Sequence, residues 1–196
     1  ELARAFRGAP PTPHHLEVLA EALAQTAAWP ELAELRQRQL EAASTPADKA
    51  RRATELALLH ERELGDLDAA IRNLTVAQSV DPDEARQHEL VRVLRAAQRW
   101  AELVQLLERE LAQGRATPLE RQLAILLELG ELRASRLGRP AEAIQAYEAA
   151  LERRPGDATA SAALEKLYEH GGRDRELARV LEARAESTDD PMKRAQ

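Results

Sequence analysis

LAEALAQTAAWPEL (Leu19–Leu32), LVRVLRAAQRWAEL (Leu90–Leu103) and LEKLYEHGGRDREL (Leu164–Leu177) align without a gap, at offsets of 71 and 74 residues. The residues that follow repeat as well. Leu32, Leu35 and Leu40 correspond to Leu103, Leu106 and Leu111, then to Leu177, Val180 and Ala185. Positions i, i+3 and i+8 form one stripe along a helix. Repetition at a fixed period constrains the fold more than any local propensity.

A second motif lies between these copies. Leu64-Gly65-Asp66 through Ile71 matches Leu137-Gly138-Arg139 through Ile144 at an offset of 73, and Leu74, Ala77 and Pro82 match Tyr147, Ala150 and Pro155. A period near 73 residues is therefore expected to hold two helix pairs. Gly65 and Gly138 stand where a helix should stop, because glycine enters the left-handed C-terminal conformation without penalty. Asp66 is placed to cap the next helix, and Pro140 suits a first turn. Pro82 and Pro155 follow helices they could not continue. Pro46, Pro118 and Pro191 follow Thr45, Thr117 and Asp190 in the equivalent loops between pairs. The spacing predicts helices over 13–28, 30–43, 47–64, 66–79, 83–97, 100–113, 118–136, 140–153, 157–170 and 174–186, forming one continuous array over residues 1–196.

Leu2, Ala5 and Pro10 align with Tyr147, Ala150 and Pro155, so residues 1–9 read as the tail of a helix. Met192–Gln196 reads as the start of another. Both ends are thus expected to fall within repeats of a longer array, without polar caps. Uncapped ends offer a route to self-association.

Composition agrees with an all-α chain. Of 196 residues 44% are hydrophobic but only 3% aromatic, so the core must be Leu and Ala. The abundant residues are good helix formers. The net charge of −6 disfavours nucleic acid as a partner. With no cysteine, disulfides and thiolate metal sites are excluded. No apolar run approaches the roughly 18 residues of a spanning helix, so no membrane insertion is expected. Lys is confined to Lys49, Lys166 and Lys193 beside abundant Arg, which points to a GC-rich bacterial genome. The compartment is left open, cytoplasmic being the default.

The residues resemble the tetratricopeptide repeat, whose pattern runs Trp-x2-Leu-Gly-x2-Tyr, Ala-x3-Phe, Ala, Pro. Leu129-Gly130, Ala143, Tyr147, Ala150 and Pro155 match one copy. Leu56-Ala57, Ala70, Leu74, Ala77 and Pro82 match another. Leu126 and Ala53 stand at the Trp position. The alternating pairs around Trp29, Trp100 and Asp174 keep the Leu spacing without the Ala-x3-aromatic signature. The resemblance implies a right-handed superhelical α-solenoid of antiparallel helix pairs, about ten helices in all, with a concave face that binds proteins or peptides. The Lys and Asn set of the carboxylate-clamp version has no counterpart here.

Chemistry-bearing residues read as surface residues. His60-Glu61 opens like His-Glu-x-x-His, but residue 64 is Leu, so no zinc motif forms. His14-His15 reads as a surface pair after Pro13. His60, His88 and His170 are likewise expected at helix surfaces. Glu61, Glu63, Asp189 and Asp190 read as solvated carboxylates, since catalysis would need a desolvating cleft. Gly171-Gly172 reads as a turn, not a phosphate loop. Asn73-Leu74-Thr75 fits a glycosylation sequon, but it falls inside a helix at a core position. Trp29 and Trp100 recur at equivalent sites, which favours packing.

No catalytic, cofactor-binding or metal-ligating residue is therefore expected, and no cofactor. The reading is a non-enzymatic protein–protein interaction scaffold whose protein or peptide partner is unidentified. The alternatives are a regulatory or substrate-recruiting repeat domain of a larger enzyme, a self-assembling structural array, and RNA binding, which the charge opposes.

Overall fold

The computed structural model describes residues 12–114 and 117–189, the side chains of Pro13 and of 185–189 excepted. Among the described residues there are ten helices and no strand: α1 Pro13–Gln25, α2 Trp29–Glu41, α3 Pro46–Arg62, α4 Leu67–Val80, α5 Glu84–Ala96, α6 Trp100–Ala112, α7 Leu119–Glu131, α8 Pro140–Arg153, α9 Ala158–Gly171 and α10 Asp174–Asp189. A π-helical turn, Leu132–Arg136, extends α7. The helix tail expected at 1–9 and the helix start expected at 192–196 lie outside the described residues, as do Asp190 and Pro191.

The period seen in the sequence reappears in the backbone hydrogen bonds. The N–H groups of Ala28, Arg99 and Arg173 donate to the carbonyls of Leu23, Leu94 and Tyr168, at the same offsets of 71 and 74. In the other motif Leu64 and Leu137 donate to Leu59 and Leu132, and Asp66 and Arg139 donate to His60 and Arg133, at an offset of 73. Gly65 and Gly138 are both left-handed, at φ 66° and 63°. The two turn types thus alternate along the chain.

Capping follows the side chains available. Thr45, Asp66, Asp83 and Asp157 each accept a backbone N–H from the first turn of α3, α4, α5 and α9. Pro46 and Pro140 occupy first turns, where a missing N–H costs nothing. Several boundaries differ from the sequence expectation; the last helix, expected over 174–186, runs to Asp189. The first helix ends at Gln25 because Ala27 turns left-handed. The helix expected over 118–136 changes to a π turn after Glu131. Pro118 stands at the cap of α7, one place before its expected role, while the buried Thr117 hydroxyl donates to the Glu110 carbonyl.

By contact the chain divides into two compact units, Glu1–Arg99 and Trp100–Gln196. In the first, Ala20, Leu32 and Leu35 join α1 to α2, and Ala33, Leu40, Ala50, Ala53, Leu56 and Ala77 join α2, α3 and α4. In the second, Leu123, Leu126, Ala143, Tyr147, Ala160, Leu164 and Tyr168 join α7, α8 and α9. Leu111 of α6 and Leu177 and Val180 of α10 flank this cluster. Burying one such Leu contributes about 1.5–3 kcal/mol. Each helix pair therefore draws its stability from its neighbours in sequence.

One close approach explains the Leu-Gly motif. A Cβ on Gly130 would meet the Tyr147 ring at 2.5–2.7 Å. At the equivalent place in the first unit stand Ala57 and Leu74, both 1% exposed. The larger small residue faces the smaller large one, so the seam keeps interior density.

Candidate interaction surface

His14 and His15 are exposed, their ring centroids 6.4 Å apart. His15 closes a capping box by accepting the Thr12 N–H on Nδ1. His88 and His170 are also exposed. His60 departs from the expected surface placement. Its side chain is 20% exposed, with Nδ1 4.0 Å from an Asp66 carboxylate oxygen and without a hydrogen bond. Burial holds its pKa below the usual histidine range, with Arg72 adding to the shift and Asp66 opposing it. The cause is its position: it faces the turn that joins α3 to α4. Among the described residues no group of three or more His, Asp or Glu could hold a metal ion.

The carboxylates are held by arginines. Arg92 of α5 makes a two-pronged pair with Glu61 of α3, at 2.6 and 2.7 Å, and also reaches Glu89. Hydrogen bonding from Arg92 lowers the pKa of Glu61. Asp48 is likewise held low by Arg52 and Arg51. In the first unit Arg36 bonds both Glu17 oxygens and Gln39, which accounts for the burial of Gln39. In the second, Arg133 of the π turn pairs with Glu108 of α6, and Arg121 grips Glu110 at 2.6 and 2.8 Å. Glu63 is exposed, and the side chain of Asp189 is not described.

Trp29 packs partly buried against the cluster between α1 and α2. Trp100 lies under the Arg136 guanidinium, 5.2 Å from the ring centroid. Gly172 is the left-handed cap of α9. Asn73 donates to the Ala69 carbonyl at 2.9 Å within α4, and Leu74 is buried. The sequon is thus part of a packed helix.

The outer surface of the second unit carries one feature the sequence reading did not anticipate. A groove of about 340 Å³ opens between α6, α7 and α8, with Leu111, Leu126, Leu129, Ala146 and Ala149 on its walls and Glu108 and Arg133 at its edge. At the offset of 73, Ala146 and Ala149 stand where the first unit has Asn73 and Val76. That exchange of side-chain size was visible in the aligned repeats. A second groove, about 220 Å³, lies between the end of α8, α9 and α10. Both are apolar depressions with charged edges, and Ser161 lines the second.

Comparison with known proteins places this architecture. The tetratricopeptide repeat model matches residues 88–122 and 125–159. The second match is the copy read at Leu129–Pro155. The first falls on the pair around Trp100, which departs from the consensus at its aromatic positions. No curated protein sequence matches the chain. Among solved structures the chain is similar to MamA in several crystal forms. One covers 89% of this chain and 96% of its own at 18% identity and a TM-score of 0.51. Another covers 92% and 94% at 16% identity and 0.52, and a third 90% and 91% at 19% and 0.51. At these identities the likeness is one of fold.

Proposed function

We propose, from the premise that the chain is a tetratricopeptide-like helical-repeat protein, that it is a non-enzymatic scaffold holding a protein or peptide partner. One observation carries this reading: the apolar side chains are consumed in stacking successive helices, which leaves broad, arginine- and glutamate-lined faces. Such faces give orientation and encounter rate through charge. The groove between α6 and α8 supplies an apolar recess of the size that takes an anchoring side chain, where interface energy concentrates.

The test is affinity capture from a lysate of the source organism, with residues 1–196 as bait beside an Ala146→Asn/Ala149→Val variant. A stoichiometric partner that is weakened at least tenfold by the filled groove supports the reading. Absence of any stoichiometric partner at low and moderate salt sinks it.

A further inference from the structure

We infer that the groove between α6, α7 and α8 receives an apolar anchor from a basic segment of a partner protein, with a Lys or Arg of that segment pairing with Glu108. The inference rests on the scaffold reading and names the chemistry of its partner.

Small side chains and carboxylates come together on this face of the second unit, where the first unit has other residues. Ala146 and Ala149 replace Asn73 and Val76 at the offset of 73. Glu142 and Arg133 replace Ala69 and His60 at the same offset, and Glu108 replaces Gln37 at the offset of 71. Leu126 and Leu129, 3% and 1% exposed, close the groove from below. Leu111 and Ala149 stay half-buried along it. A recess of about 340 Å³ has room for one large apolar side chain.

Glu108 and Arg133 are the charged residues that line the groove. Of the two, the carboxylate is the accessible one: the Glu108 side chain is 47% exposed and that of Arg133 14%. Arg133 is already neutralised. It pairs with Glu108, and its Nε lies 3.7 Å from a Glu142 oxygen. Glu142 is itself shared with Arg139, 3.6 Å away. Glu108 accepts from Arg133 on Oε1, and its Oε2 accepts no hydrogen bond from the described residues. A carboxylate has room for a second donor. A basic group beside the apolar anchor supplies one, whereas an acidic group would meet the like charge of Glu108. The net charge of −6 draws a basic segment towards the chain as well. A charge pair at the edge of an apolar recess selects the partner more than it tightens it.

The test is selection of random dodecapeptides on residues 1–196, followed by titration of the best binder. Peptides that carry an apolar residue with Lys or Arg within one helical turn should be enriched. Ala146→Asn/Ala149→Val, which installs the side chains of the first unit, should weaken the best peptide at least about tenfold. Ala149→Val alone, at a half-buried position, should act in the same direction, with helicity of both variants checked by circular dichroism. Glu108→Gln should weaken the peptide about two- to fivefold, the worth of a partly exposed ion pair. Replacing the basic residue of the peptide by Gln should do the same on the parent chain and nothing further on Glu108→Gln. Enrichment of acidic peptides overturns the inference. So does failure to enrich any peptide, or binding that is indifferent to the filled groove or to Glu108→Gln. The scaffold reading survives each of these failures, because it falls only with the absence of a stoichiometric protein partner in the lysate.

Discussion

Gly130 and His60 are the residues at which local chemistry sets the sharpest constraints. Alanine at 130 would place a methyl group within 2.7 Å of the Tyr147 ring, a degree of overpacking that costs about 1–3 kcal/mol. Gly130→Ala is therefore expected to lower the urea midpoint of unfolding. Adding Tyr147→Leu should restore most of the loss, since the pair then matches Ala57 and Leu74. A double variant no better than the single one would show that the seam is not governed by this size exchange. His60 gives a pH dependence of known sign. Burial lowers its folded pKa below the ordinary 6.5, so the unfolded chain takes up the proton first. Its contribution to stability is complete above about pH 6.5, is lost as pH falls from there towards the folded value, and changes no further below that. Stability measured from pH 7.5 to 5.5 should fall less steeply in His60→Gln than in the parent. Equal slopes would mean that His60 titrates as it does in the unfolded chain.

At the scale of the element, helix termini decide more than helix propensity. Ala27 and Gln98 hold the same left-handed cap as Gly172, at φ 52° and 55°. A side chain in that conformation costs about 1–2 kcal/mol, partly offset by the freedom glycine gains on unfolding. Ala27→Gly and Gln98→Gly should each stabilise by about 0.5–1 kcal/mol in chemical denaturation. No gain at either site would show that the turn is held by tertiary packing instead. Asp157 accepts from the N–H groups of Thr159 and Ala160 at 3.1 and 3.0 Å. Its replacement by Ala should cost about 1 kcal/mol, read as a lowered melting temperature. These elements also show how far the sequence could be read. Helix positions, the alternation of two turn types, and the Gly and Pro punctuation were legible because each has a local cause. The early end of the first helix was not, because Ala27 and Gln98 are poor signals for a left-handed cap. Their register with Gly172 holds the signal, but the helix expected over 13–28 runs through Ala27. The π turn at Leu132–Arg136 and the burial of His60 depend on which residue faces which, and a single helix pattern does not encode that. The groove lay between: Ala146 and Ala149 against Asn73 and Val76 is written in the repeats, but its depth needed the packed helices.

For the whole molecule, the governing fact is that within each unit the described helices contact mainly those before and after them in sequence. Such a chain has no single centre on which all stability depends, and opening free energies should vary from repeat to repeat. Function was less legible than fold for the same reason. A repeat spends its patterned apolar residues on stacking, so the periodicity that reveals the fold carries no signature of the proposed partner. Local stability gives that view a direct consequence. In Gly130→Ala, hydrogen exchange should lose protection in α7 and α8, whose seam contains the clash. Amides of α3 and α4 in the first unit should exchange at their parental rates, because Ala57, Leu74 and their surroundings are unchanged. Loss of protection to the same degree in both regions would mean that the chain opens as one cooperative body. The strength of each repeat would then be set by the array as a whole, and the assignment of stability to individual seams would fail.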